Sequence, residues 1–297
     1  MSASAQAILN REVVKVSAGN ETSFRENYNR RPFVLEHQLS AHPLLQLSHL
    51  TAVAQSFASQ HPEQLYYTIG NVNLSSGWDY ATKRTVSPKE AIEQIQTEDT
   101  WLILKGVQIL PEYGRLLDQI LEEIHSVSGR EWKHSTTERN ASVIITSPNQ
   151  VTPYHMDADC NYLFQIAGAK TLYVFNGADR NVVTAGELER FYSGQVNAAQ
   201  YREASQEGAW RFELTSGCGV HIPVTFPHWV QNRDNVSISV SINFRFVDHT
   251  IPDIHRINHH LRRVGLHPKL PGESMVSDGF KKVVSKTLRT LRRKPVA

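Results

Sequence analysis

The sequence predicts a mainly β fold with flanking helices, and three observations carry that expectation. Strand-like runs follow one another from residue 140 to residue 246. One of them, residues 236–246, alternates apolar and polar side chains almost without a break. Helical periodicity lies before and after this stretch and in one insert within it. Short strands at this density suit a barrel or a sandwich.

Taken in order, residues 31–39 and 64–72 read as strands and residues 45–59 as a helix. Residues 101–109 are another strand, followed by a helix over 112–127 with Leu116, Leu117, Ile120 and Ile124 at helical spacing. Residues 140–146 form the strand that leads into the segment T-P-Y-H-M-D-A-D-C-N of residues 152–161. A polar insert, residues 176–208, carries a short helical signal at 187–192. In the last strand Val236, Ile238, Val240, Ile242 and Phe244 share one face, and Ser237, Ser239, Ser241, Asn243 and Arg245 share the other. Such a strand divides an apolar core from either water or a polar cavity. Its position directly after His228 favours the cavity.

His155 and Asp157 are two apart, so a strand would set imidazole and carboxylate side by side, and the distant His228 can close a three-pronged site. Two histidines and one carboxylate on one side of a metal leave the opposite positions open, the arrangement of non-heme iron(II) oxygenases. Lys170 begins the otherwise apolar run K-T-L-Y-V-F. A lysine there is tolerated when a permanent anion meets it, and a carboxylate of a bound dicarboxylic acid would serve.

The pieces T-P-x-H-x-D-x-x-x-N, Q-I-x-G-x-K, I-P-x-x-x-x-H and S-I-N, spread over residues 30–246, resemble the JmjC-type, cupin-like 2-oxoglutarate oxygenases. Within them the chain is most similar in motif to the asparaginyl hydroxylase of hypoxia-inducible factor. The resemblance implies a double-stranded β-helix (cupin or jelly roll) with a C-terminal helical extension. It implies iron(II) on His155, Asp157 and His228, and 2-oxoglutarate as co-substrate with its distal carboxylate on Lys170 and Thr152. Asn161 and Asn243 match asparagines that line the co-substrate pocket. The implied reaction hydroxylates a protein or peptide side chain, or a small amino-acid-like metabolite, and releases succinate and CO₂; a target carbon attached to nitrogen would carry it on to demethylation. One departure is the turn S-G-C-G at residues 216–219, where the family usually has an aspartate that is not a metal ligand.

Composition agrees with an enzyme domain of this kind. The 297 residues are 40% hydrophobic, enough to bury a full core. No run of apolar residues approaches a membrane span, and the first residues lack a signal-peptide core. Cys160 and Cys218 make no disulfide framework, so a reducing cytoplasm is expected. Cys160 is expected to be a packed core thiol. Patterns of nucleophile elbows, P-loops, dinucleotide-binding loops and C-x-x-C redox sites are missing from the sequence.

Residues 1–250 are expected to be the catalytic unit and residues 251–297 a pair of basic helices. The latter hold eleven Lys and Arg against three Asp and Glu, a net of +8 in a chain of +2 overall, which leaves −6 for the rest. The first helix runs from Pro252 with Ile254, Ile257, Leu261 and Val264 on one face, and ends by Gly265 and Pro268. The second covers about residues 278–293 with a stripe of Phe280, Val284, Leu288 and Leu291 between lysines and arginines. The stripe is expected to pack on the barrel or on a second subunit; the resemblance implies a homodimer, with nucleic acid or a membrane surface as lesser alternatives. His255 and His259 are read as exposed. Arg190, Tyr192, Tyr201 and Arg202 are candidates for substrate contact at the barrel mouth, against the commoner fate of solvated loop, and Trp229 either walls the pocket or fills core. Two other functions fit parts of the pattern. A metal-dependent cupin acting without 2-oxoglutarate has no need of Lys170, and a non-catalytic binding module has no need of three intact ligands.

Overall fold

The computed structural model describes residues 13–15, 21–69, 73–76, 87–97, 99–129 and 135–292, with side chains through Thr287. In chain order β1 (Val14–Lys15), α1 (Glu21–Asn27), β2 (Phe33–His37), α2 (Leu47–Gln60), β3 (Leu65–Ile69), α3 (Pro88–Glu93), β4 (Thr100–Lys105), α4 (Pro111–Ser128) and β5 (Thr136–Thr146) form the first half. The second half holds β6 (Val151–His155), β7 (Cys160–Ala167), β8 (Lys170–Val174), α5 (Ala185–Tyr192), β9 (Trp210–Leu214) and β10 (Cys218–Ile222). It ends with β11 (His228–Asn232), β12 (Ser237–Phe246), α6 (Thr250–Arg263) and α7 (Met275–Arg292). The expected elements are present with shifted ends. The strand expected over 101–109 stops at Gly106, whose φ of 71° turns the chain into the 3₁₀ turn Val107–Ile109. Part of the strand expected over 64–72, residues 70–72, lies outside the described residues, as do residues 1–12, where the expected absence of a signal peptide falls.

Among the described residues the strands make two antiparallel sheets. The large one has the order β1-β2-β10-β7-β12-β5-β4-β3 and the small one β6-β11-β8-β9. Leu172, Val174, Leu214 and Val230 of the small sheet pack against Leu163, Val220 and Ile222 of the large one, as two facing sheets require. On its other side the large sheet buries Val143, Ile145, Phe164, Val240 and Ile242 against Val53 and Phe57 of α2 and Leu117, Ile120 and Ile124 of α4. Cys160 is fully buried in that outer core, as expected.

The alternation of β12 divides the outer core from a buried polar face rather than from water. The strand is central, paired with both β5 and β7. Its apolar residues enter the outer core, while Ser237, Ser239 and Ser241 are buried on the side facing the small sheet. The departing turn at residues 216–219 is closed without an aspartate: Ser216 Oγ donates to the Ile166 carbonyl at 2.7 Å, and Gly217, at φ 92°, donates its N–H to Gln165.

The C-terminal helices correct two expectations. α6 packs on α5, where Arg262 Nε reaches both oxygens of the buried Glu189 at 2.8 and 2.9 Å. His255 is buried rather than exposed, stacked on Tyr192 at 5.5 Å between ring centres. On α7, Phe280 and Val283 face solvent together with Met275 and Val276, whereas Lys281 and Ser285 turn inward. Of the expected stripe, Phe280 is exposed and Val284 half-buried; the side chains of Leu288 and Leu291 lie outside the described residues. None of the described helices is long and apolar enough to cross a membrane.

Candidate metal centre

β6 and β11 are neighbours in the small sheet, with His155 opposite His228 and Thr152 opposite Val230. Three steps of β6 therefore match two of β11, which is a bulge. Directly paired residues share a face, so the bulge turns Thr152 onto the inner face with His155. On a regular strand, three apart, the two would oppose each other.

Asp157 is not on the strand. β6 ends at His155, and Asp157 lies in the connection to β7, so alternation does not place it as the sequence suggested. Its backbone is held from the β10–β11 loop, where the Thr225 N–H donates to the Asp157 carbonyl at 2.9 Å. Thr225 has φ 59°, an uncommon conformation for a β-branched residue, of the kind that persists where surrounding structure imposes it.

The three side chains converge. Asp157 Oδ2 is 3.7 Å from His228 Nε2 and 4.0 Å from His155 Nε2, and the imidazole centres are 4.1 Å apart. His155 Nδ1 lies 2.8 Å from the Pro153 carbonyl and His228 Nδ1 3.0 Å from that of Phe226. A carbonyl only accepts, so both Nδ1 atoms carry the proton and both Nε2 lone pairs are left for the cluster. Burial, and then the neighbouring His155, hold His228 well below its ordinary pKa, which keeps it the neutral imidazole a metal requires. Among the described residues this is the one group of three or more His, Cys, Asp or Glu side chains able to close on an ion; His255 and His259 form no such group.

Four residues further along β8 from Val174, the partner of His228, stands Lys170, opposite Asn232. Lys170, Leu172 and Val174 share a face, and Leu172 and Val174 lie in the inter-sheet core, so Lys170 looks inward too. About 13 Å of strand separates its row from that of the His155–Asp157–His228 cluster. Lys170 is 3% exposed, and burial pulls its pKa from 10.5 to about 7. Among the described residues no carboxylate pairs with it. Asn232 beside it is engaged with Thr146 Oγ1 and the Ser147 carbonyl.

The facing sheet has a polar row of its own. Asn161 of β7 and Asn243 of β12 are opposite each other. Ser241 Oγ donates to Asn161 Oδ1 at 3.2 Å, and Asn243 Nδ2 donates to Ser241 Oγ at 3.0 Å. Asn140 is opposite Asn243 on its other side and accepts from Ser142. Sequence reasoning missed Asn140, although its place three residues before a strongly apolar strand half is a readable sign. Arg245, noted only as part of a polar face, is bound to Asp159 at 2.6 Å and to Glu138.

Of the insert residues, Arg202 holds the buried Glu187 at 2.9 Å and Tyr201 donates to Gln206 at 3.0 Å, so both serve the insert itself. Trp229 points outward, stacked on Tyr173 at 4.3 Å with its indole N–H on Gln206, and neither walls the site nor fills the core between the sheets. The fold and the cluster define a class: a mainly antiparallel, double-sheet β protein with a two-histidine, one-carboxylate centre between its sheets.

Neither the protein-family models nor the curated proteins contain a match to this chain. Among solved structures it is similar to Escherichia coli ycfD, with 11% identity and a TM-score of 0.49 over 95% of this chain and 70% of that one. A structure of the Escherichia coli ribosomal oxygenase YcfD in complex with cobalt and 2-oxoglutarate aligns at 12% identity and a TM-score of 0.48, covering 95% and 69%. The DMSP lyase DddQ of Ruegeria pomeroyi aligns over 37% of this chain and 38% of its own, at 15% identity and a TM-score of 0.24.

Proposed function

We propose that this chain is an iron(II)- and 2-oxoglutarate-dependent hydroxylase whose metal ligands are His155, Asp157 and His228. The facing sheets are read as a double-stranded β-helix, with residues 1–250 as the catalytic unit. The observation that carries the reading is Lys170, a buried lysine that no carboxylate meets among the described residues, on the same inner face as the three-residue cluster. A dicarboxylate chelating a metal at one end and meeting Lys170 at the other accounts for both features. Thr152, brought inward by the β6 bulge, would share the distal carboxylate, and Asn161 and Asn243 would line the body of the co-substrate.

Bound together, iron(II) and 2-oxoglutarate supply the oxidising chemistry, in which O₂, the keto acid and a C–H bond give an alcohol, succinate and CO₂. The protein's share is orientation and exclusion of water. The Pro153 and Phe226 carbonyls fix both imidazole tautomers, Lys170 fixes the length and charge of the co-substrate, and the apolar layer of Leu172, Val174 and Val230 keeps bulk water from the inner end. The substrate expected from the sequence resemblance is a protein or peptide side chain. The exposed apolar face of α7 supports a homodimer built through the C-terminal helices, and the two cysteines fit a reducing compartment.

The test is anaerobic titration with iron(II), with and without 2-oxoglutarate, followed by visible charge-transfer absorption. A band that requires both components, vanishes in Asp157→Ala and weakens in Lys170→Ala is the expected result. Metal binding indifferent to the keto acid would overturn the reading in favour of a metal-dependent cupin without it. Indifference to both would favour a binding module.

A further inference from the structure

The backbone ladder that fixes His155 against His228 stops at His155, yet Asp157 Oδ2 sits 3.7 and 4.0 Å from the two Nε2 atoms. Something beyond the sheet holds it there. We propose that the insert between β8 and β9 (residues 175–209) is a clamp that sets the separation of the metal ligands, with Met156 as its positioning residue. This rests on the metal-centre reading above.

Met156, between the two ligands, is 2% exposed and packs with Val183, Leu188 and Ala198 of the insert, with Phe191 and Tyr192 at the rim. On the other side of His155, the Tyr154 ring meets Phe175 and Tyr201 edge-on at 5.2 and 5.5 Å. His155 faces the ligands while both its neighbours are held by the insert. The insert also grips the loop that holds Asp157: at Gly177 a Cβ would overlap the carbonyl oxygen of Thr225, so the two backbones touch directly.

The clamp is itself braced. Thr184 and Glu187 form a reciprocal cap at the start of α5. The carboxylate of Glu187, 1% exposed, accepts from Thr184, Gln200 and Arg202. Glu189, two residues on and equally buried, is held by Arg262 of α6. A buried carboxylate with every partner in place is costly to move, so α5 presents Leu188 to Met156 from a fixed position. Removing the Met156 side chain releases Asp157 to sample positions from which it cannot ligate, which weakens metal binding while leaving Lys170 untouched.

The experiment measures Co(II) affinity and d–d absorption on the full chain for wild type, Met156→Ala, Met156→Leu, Leu188→Ala and the double variant Met156→Ala/Leu188→Ala, with 2-oxoglutarate affinity of each Co(II)-saturated form. Supporting partners of metal ligands typically change metal affinity by about 10–100-fold. Met156→Ala is therefore expected to raise the Co(II) Kd at least about tenfold and alter the absorption. Met156→Leu should restore most of the affinity, and 2-oxoglutarate binding should change by less than about threefold. The double variant should be scarcely worse than the poorer single one, because both residues act through one buried cluster. Variants that melt earlier yet bind Co(II) with unchanged affinity and spectrum would overturn the clamp and leave Met156 an ordinary core residue. Should Met156→Ala not fold, Leu188→Ala decides by the same criteria. Wild type that binds Co(II) no better than Asp157→Ala ends the metal-centre reading itself, an outcome distinct from failure of the clamp alone.

Discussion

The inner end of β8 and the inner side of α7 each bury a lysine, and the two are treated oppositely. Lys281 on α7 is 4% exposed and donates to the Lys269 carbonyl at 2.8 Å. Lys170 on β8 is 3% exposed, and among the described residues no hydrogen bond or ion pair meets it. A buried charge without a partner costs several kcal/mol unless it sheds its proton, which is why burial lowers Lys170 to about 7. Among the described residues the fold satisfies one lysine and not the other, and the proposed function assigns the second to a ligand. Burial alone is thus no sign of function; the proposal rests on burial without a partner among the described residues.

The largest expected effect separates the two directly. Lys170→Ala should weaken 2-oxoglutarate binding to the metal-loaded protein by at least about 100-fold, the scale of a lost buried charge pair, while Lys281→Ala leaves it within about twofold. Equal losses, read by isothermal titration, would break the comparison. Stability should move the other way. Replacing Lys170 with Met removes a buried amine that has no protein partner among the described residues and is expected to stabilise the ligand-free protein by on the order of 1–3 kcal/mol, whereas Lys281→Met costs about 1 kcal/mol for its lost hydrogen bond. Thermal melts at neutral pH check both signs.

A dependence on pH sharpens the contrast. The folded pKa of Lys170, about 7, lies below its unfolded value of 10.5. The folded state therefore holds fewer protons than the unfolded one between these values, and this residue makes ligand-free stability rise with pH across that window. Binding an anion needs the charged form, so 2-oxoglutarate affinity should fall by up to about tenfold per pH unit above 7, and the dependence should vanish in Lys170→Met. A flat profile in the wild type would remove Lys170 from the co-substrate site. The smallest effect is on the outer side of α7. Phe280→Ser, at a residue 71% exposed, should alter monomer stability by less than about 0.5 kcal/mol and, where α7 joins two copies, shift sedimentation towards the monomer.

Much of the site could be read from the chain because strand alternation is a local rule. The spacing of Ser239, Ser241 and Asn243 foretold a polar inner face, and Lys170 at the head of an apolar strand foretold a buried charge. The same rule failed where the local geometry is irregular. Thr152 and His155 share a face only through a bulge, and Asp157 is held by a hydrogen bond from Thr225, some seventy residues later in the chain. The helical stripe of α7 was legible, but which of its faces would be covered was not, since Lys281 is drawn inward by a carbonyl of the preceding loop.

By itself, then, the sequence determined the residue types, most of the strand faces and the three candidate ligands, because these depend on residue chemistry and on the two-residue repeat of a strand. Only the tertiary structure decided how those candidate ligands are brought within 4.8 Å of one another, that Lys170 has no partner among the described residues, and that Met156 is buried against the insert. Those facts depend on contacts between segments far apart in the chain, and distance in sequence carries no information about which carbonyl, backbone amide or side chain will arrive opposite.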